Sequence, residues 1–364
     1  MHVQHLIRIV GLLLLTTVGT GGEISYTPEK SPPIGAVSQL EKRGSVKFSG
    51  EPWKIGDVSK NVSAIDTIGS FLLLGVDEGT QLLLLSEKGP GEYAARKQGY
   101  DLLSGKWVDF PEEFGEEIDV EGIASVDNTV YVVGSHSAKR SKVKPAKKKY
   151  ATNRDRLASI SPEPGRQRIF KLQINSTTGE ITERIEKSLW PAITDSSYLA
   201  PFAGIPSKEN GIDIEGIAAD SDTVYIGFRG PVLRMNYVPI MVAEFDSLGE
   251  PDYKPDIRFV NLDGRGIRDM TKVADGFLLI GGPVAELGTF ELYHWNGQDA
   301  VTGTDRKVRP VVRLGEIPTT GGAKPEGILV VDDAAGYYDI LIVYDSAKKG
   351  DPTVFRALKP ALAH

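Results

Sequence analysis

The chain has 364 residues, 40% hydrophobic and 25% charged, with 40 glycines, 22 prolines and no cysteine. That composition gives a folded chain with a sizeable core and many turns, and it excludes disulfides, thiolate metal sites and a lipid-anchored start. A formal net charge of -7 argues against a general nucleic-acid binder.

At the N-terminus, Arg8 precedes an apolar run at 9–15, and small and polar residues follow. This is the layout of a secretory signal peptide, expected at 1–22. Its apolar core is too short to cross roughly 30 Å of hydrocarbon, so no stable membrane insertion is expected after cleavage. Residues 23–43 read as a flexible linker and 44–364 as one folded domain. Export without cysteine points to a bacterial periplasmic or extracellular location.

The folded part repeats itself. NVSAIDTIGSFLLLGVDEG (61–79) comes first, then DVEGIASVDNTVYVVGSHS (119–137) and DIEGIAADSDTVYIGFRGP (213–231). GRGIRDMTKVADGFLLIGGPV (264–284) and KPEGILVVDDAAGYYDILIVYDS (324–346) complete the series. Each is an apolar step, a polar turn, and an apolar segment closing on glycine or small polar residues. Aligned on Ser63, Glu121, Glu215, Arg268 and Glu326, the units recur at roughly 50 to 60 residues, with one longer interval. Segments such as RQRIFKLQIN, VLRMNYVPIMVAEFD and TFELYHWNG supply further strands. No long 3.6-residue period appears beyond the N-terminal segment, which disfavours parallel α/β architecture.

The expected fold is therefore all-β: a single β-propeller of four-stranded antiparallel blades, five of them, or six if 185–212 forms an incomplete blade. The strand SVKFSG (45–50) is expected to join the C-terminal blade and close the ring. The long interval contains a basic insertion, 138–156. Its stretch 139–149 holds seven basic residues and reads as a solvated loop or a contact to an anionic surface.

In a blade, the innermost strand lines the channel, and the next strand ends beside its start. Strand starts and strand ends thus share one mouth. The candidate ligand-binding residues there are Arg229, Arg268, Asp269, Asp77, Glu78 and Asp345. Carboxylates crowded around one axis repel, and need arginines, a cation or protons. Arg229 and Arg268 are the expected internal counterions. The alternative is a calcium-like ion held by Glu121, Glu215 and Glu326, with His136 as candidate base in a divalent-metal hydrolase of phosphoesters or lactones. No catalytic triad is recognisable. A binding propeller for a small polar or anionic ligand is the leading reading, with a structural envelope role as a further alternative.

Taken jointly, DVEGIA with GSHS and Arg140, IDIEGIA with GFRGP, GIRDM with GGP, and KPEGI with VYDS resemble a bacterial exported family known only as a domain of unknown function. That family is β-propeller-like, similar to esterase-like phytase and lactonase-type propellers. The resemblance implies fold and export, and carries no activity.

Overall fold

The EGI steps open strands whose side chains are withdrawn from water on both faces; in Asp213–Asp220 only the final residue is exposed. The chain was analysed as a computed structural model, which describes residues 38–111, 115–285, 287–319 and 321–360. The expected signal peptide and residues 23–37 of the expected linker lie outside the described residues.

Four sheets have the form of a four-stranded antiparallel blade. Their innermost strands are Val120–Val126, Asp213–Asp220, Gly266–Val273 and Lys324–Asp333. A larger, seven-stranded sheet begins at Val62–Ile68. The inner strands lie side by side around one axis in chain order, and Lys324–Asp333 also lies beside Val62–Ile68.

The expected blade count and closure need correction. Four sheets are four-stranded blades, not five or six, because the first unit builds the seven-stranded sheet instead. Segment 185–212 adds no blade: after the strand ending at Lys187 it forms the helix Trp190–Asp195 and two short 3-10 turns, Ala200–Phe202 and Ser207–Glu209. Nor does the strand placed at 45–50 join the C-terminal blade. Lys47–Ser49 pairs in parallel with Glu92–Ala95 in the seven-stranded sheet, and no sheet closes on itself. It is the preceding segment, Glu41–Ser45, that lies antiparallel to Thr353–Leu358.

Packing between neighbouring sheets supplies the core. Tyr131, Val133, Ile169, Ile214, Ile226, Phe228 and Phe245 form one such layer, all but excluded from water. Each large side chain buried this way contributes about 1.5–3 kcal/mol. Among the described residues, no helix is long and apolar enough to cross a membrane.

Near the axis the inner strands share one irregularity. Val62 pairs with Val76 and Ala64 with Gly75, which leaves Ser63 bulged out of register. The same slip isolates Glu121, Glu215, Arg268 and Glu326. These are the residues that the repeat alignment treats as equivalent. A bulge bends its strand and re-aims one side chain, so five strands direct one residue each toward a common end of the axis. The adjoining glycine is set by close approach: a Cβ on Gly122 would stand 2.7 Å from Ile217 Cγ2, and one on Gly216 would stand 2.9 Å from Ile267 Cγ2.

Candidate functional site

Three of the five bulged side chains meet a cavity of about 980 Å³. Glu121, Glu215 and Glu326 line it from the strand starts. Asp77, Glu78, Arg229 and Asp345 line it from the strand ends and the turns that follow. The antiparallel geometry of the first two strands in each sheet thus brings together seven of the residues expected at the mouth.

A chain of ion pairs runs through the floor. Arg229 holds Glu215 at 2.6 Å and also pairs with Asp213. Arg268 lies behind the cavity wall, 2% exposed, and joins Glu215 at 2.9 Å to Glu326. Both arginines therefore serve as internal counterions, as expected. Burial works against the charge of Arg229, but Asp213 and Glu215 more than offset it and raise its pKa. A second cluster centres on Arg166, which binds Asp119 at 2.6 Å and the Ser137 hydroxyl at 3.1 Å, and pairs with Glu117. Lys324 pairs with Asp345 at 2.8 Å.

Three cavity-lining carboxyls have no ion-pair partner among the described residues: Asp77, Glu78 and Glu121. Burial, then Asp119, Glu215, Asp213 and Asp77, push Glu121 well above the usual carboxylate range. Burial, then Asp119 and Asp345, push Asp77 up to about 8, and its Oδ1 is buried without a hydrogen-bond partner. Burial also raises Asp213 and Glu117, each to about 7, although Arg229 and Arg166 pull them down. At pH 7 Asp77 keeps its proton, and a protonated carboxyl donates a hydrogen bond where a carboxylate only accepts.

Other candidates lie elsewhere. Asp269 accepts the N–H groups of Met270 and Ile328, both at 2.8 Å, and so pins its strand to the next inner strand. Asp66 does the same with Thr67 and Ser125. His136 is fully buried and is not among the cavity-lining residues. Its Nδ1 is 2.8 Å from the Gly134 carbonyl and its Nε2 accepts the Leu189 N–H at 3.2 Å. Burial lowers its pKa to about 4. With both nitrogens engaged, it has no lone pair to offer a substrate, and the neighbouring Ser137 has no base.

The expected metal ligands do not fit an ion. Arg268 already bridges Glu215 and Glu326, while Glu121 stands apart among other acids. Among the described residues, no group of three or more His, Asp or Glu side chains has an arrangement that would hold a metal.

The basic insertion proves to be part of the site. Lys139, Arg140, Lys142, Lys144 and Arg156 line the upper wall of the same cavity. The segment is built, not loose. Ala138–Arg140 pairs with Ile160–Pro162, and the helix Tyr150–Ala158 stands between them. Arg140 holds Glu209 at 2.9 Å, and Asn153 Oδ1 accepts the Lys144 N–H at 3.0 Å. The cavity therefore has an acidic floor and a basic rim. Asp119, Glu117 and Arg166 were not singled out from the sequence; Asp213 was noted beside Glu215 but not placed in the site. An aspartate two residues before the glutamate in two of the units is the signal for Asp119 and Asp213; Arg166 has no counterpart in the repeat.

A family model described as "Protein of unknown function (DUF3616)" matches residues 61–353. The comparison with curated proteins finds no match. Among solved structures, the chain is similar to an exo-β-1,3-galactanase from Phanerochaete chrysosporium at 8% identity and TM-score 0.43, covering 88% of this chain and 64% of that one. An α-L-arabinofuranosidase from Podospora anserina gives 10% identity and TM-score 0.42, covering 89% and 98%. The Dos1 propeller gives 12% identity and TM-score 0.32, covering 83% and 58%. The likeness to phytase and lactonase propellers finds no support among these comparisons.

Proposed function

The chain belongs to this family of unknown function, and from the chemistry of its cavity we propose that it is a binding propeller for a small polar ligand. The observation that carries this is the segregation of charge: carboxyls raised above their usual range at the floor, a cluster of basic side chains at the rim. A ligand with a hydroxyl-rich or cationic end would place it against Glu121 and Asp77. Its anionic end would meet Lys139, Lys144 and Arg156. The part of the site that receives an anion thus moves from Arg229 and Arg268, both committed to carboxylates, to the rim. The metal-dependent hydrolase has no observation in its favour. Removal of a secretory segment at 1–22 would place the binding outside the cytoplasm, which N-terminal sequencing of the mature protein tests.

The binding test is a thermal-shift screen of the full chain against polyols, amines, amino acids and sugar phosphates. Stabilisation is expected from compounds that carry both kinds of group. Glu121→Leu should weaken the best binder about tenfold, because the hydrogen bond to the carboxyl is lost and nothing replaces it. Hits that bind Glu121→Leu and Asp77→Leu as well as the parent would remove the cavity floor from the reading.

A further inference from the structure

The insertion carries two properties at once. Between 138 and 162 it has nine basic residues and one acid, in a chain whose net charge is -7. It also concentrates exposed apolar surface. Of eleven large hydrophobic side chains left exposed among the described residues, four fall here: Val143 at 38%, Tyr150 at 76%, Leu157 at 51% and Ile160 at 44%. A segment that only solvated itself would have no use for these four.

The helix Tyr150–Ala158 buries none of its residues; Asn153 and Arg156 tie it back to 142–148, while Tyr150, Arg154 and Leu157 stay exposed. Tyr150, Arg154 and Leu157 are spaced at four and three residues and share one face. The Arg154 Nη1 donates to the Tyr150 hydroxyl at 3.2 Å, which fixes that alignment. Lys147, Lys148 and Lys149 lead into the helix, are exposed, and have no ion-pair partner among the described residues.

We propose that this insertion docks the protein on an anionic lipid surface. The lysines would approach the headgroup phosphates and carboxylates, while Tyr150 and Leu157 enter the boundary between headgroups and acyl chains. The rest of the molecule is strongly acidic and would be repelled, so the charge asymmetry sets one docking orientation. Residues 139–144 and 156–157 border the cavity, so that orientation turns its mouth toward the lipid. A soluble polyanion matches the lysines but leaves the exposed tyrosine and leucine without a role.

The test is co-sedimentation of the full chain with vesicles of phosphatidylcholine alone, or with about 30% phosphatidylserine, at low and physiological salt. The expected result is sedimentation with the anionic vesicles only, weakened by salt. Lys147→Gln, Lys148→Gln and Lys149→Gln together should lower the partition coefficient about tenfold or more, since each basic residue near such a surface contributes about fivefold. Tyr150→Ser with Leu157→Ser should lower it several-fold at constant charge. All five positions are exposed, so melting temperatures equal to the parent's verify folding, and Lys144→Gln with Arg154→Gln gives an independent second set. Failure to sediment with anionic vesicles at low salt overturns the proposal. So does full binding by the Tyr150→Ser, Leu157→Ser variant, or heparin binding as tight as vesicle binding, either of which would assign the patch to a polyanion.

Discussion

Arg268 shows how one side chain can settle a crowd of acids. It sits between Glu215 and Glu326, out of contact with water, so removing its charge strands the buried Glu326 and leaves Glu215 to Arg229 alone. Arg268→Gln should cost about 3 kcal/mol or more in urea denaturation, because breaking a buried pair leaves an uncompensated charge. Adding Glu326→Gln to that variant should recover part of the loss. Asp77 carries the opposite lesson. Its folded-state pKa is about 8, raised from 3.8, so between those values the folded state holds a proton that the unfolded state has released. Its contribution is therefore fully present below about pH 4 and is lost as pH rises through about 8. Urea midpoints should fall between pH 5 and pH 8.5, and Asp77→Asn should flatten that fall. A pH profile identical to the parent's would show that Asp77 is not the titrating group.

At the scale of the strand, the glycine after each bulged glutamate is a packing device. Gly122→Ala should destabilise by about 1–3 kcal/mol, since the new methyl meets Ile217 Cγ2 at 2.7 Å and the Ile217 backbone nitrogen at 3.2 Å. With Ile217→Ala, the two costs should be less than additive in a double-mutant cycle. Three of the inner strands were legible in the sequence because each has a glutamate at the bulge position, then a glycine, then an isoleucine; the other two followed only from their place in the repeat. Two things were not legible. Lys47–Ser49 alternates exposed and buried like any edge strand, and a period of two names the buried face without naming the neighbour. The Tyr150–Ala158 helix buries nothing, so it leaves no apolar stripe to detect. The site divides similarly. Glu121, Glu215 and Arg229 followed from their place in the repeat. His136 did not, because its positive φ of 53° turns the ring away from the mouth, and adjacency along a chain does not say which way a side chain faces.

For the molecule as a whole, the first described residues fasten two sheets. The Leu40 N–H donates to the Glu316 carbonyl at 2.9 Å, and its side chain packs with Phe290 and Ile317. The following strand, Glu41–Ser45, covers the edge of Thr353–Leu358. Deleting 38–45 should lower the melting temperature by about 5 °C, from one lost core leucine and an uncovered edge, and should promote association through that edge. Unchanged melting would mean that this segment adds nothing to the fold. The bulge positions have a consequence at this scale too. Four are ionisable, three acidic and one basic, while Ser63 is not and donates to the Val120 carbonyl at 2.5 Å. A repeated backbone thus surrounds its axis with a pattern that no rotation reproduces. The cavity therefore has no rotational symmetry, so the proposed ligand would meet different groups in each of its rotated orientations.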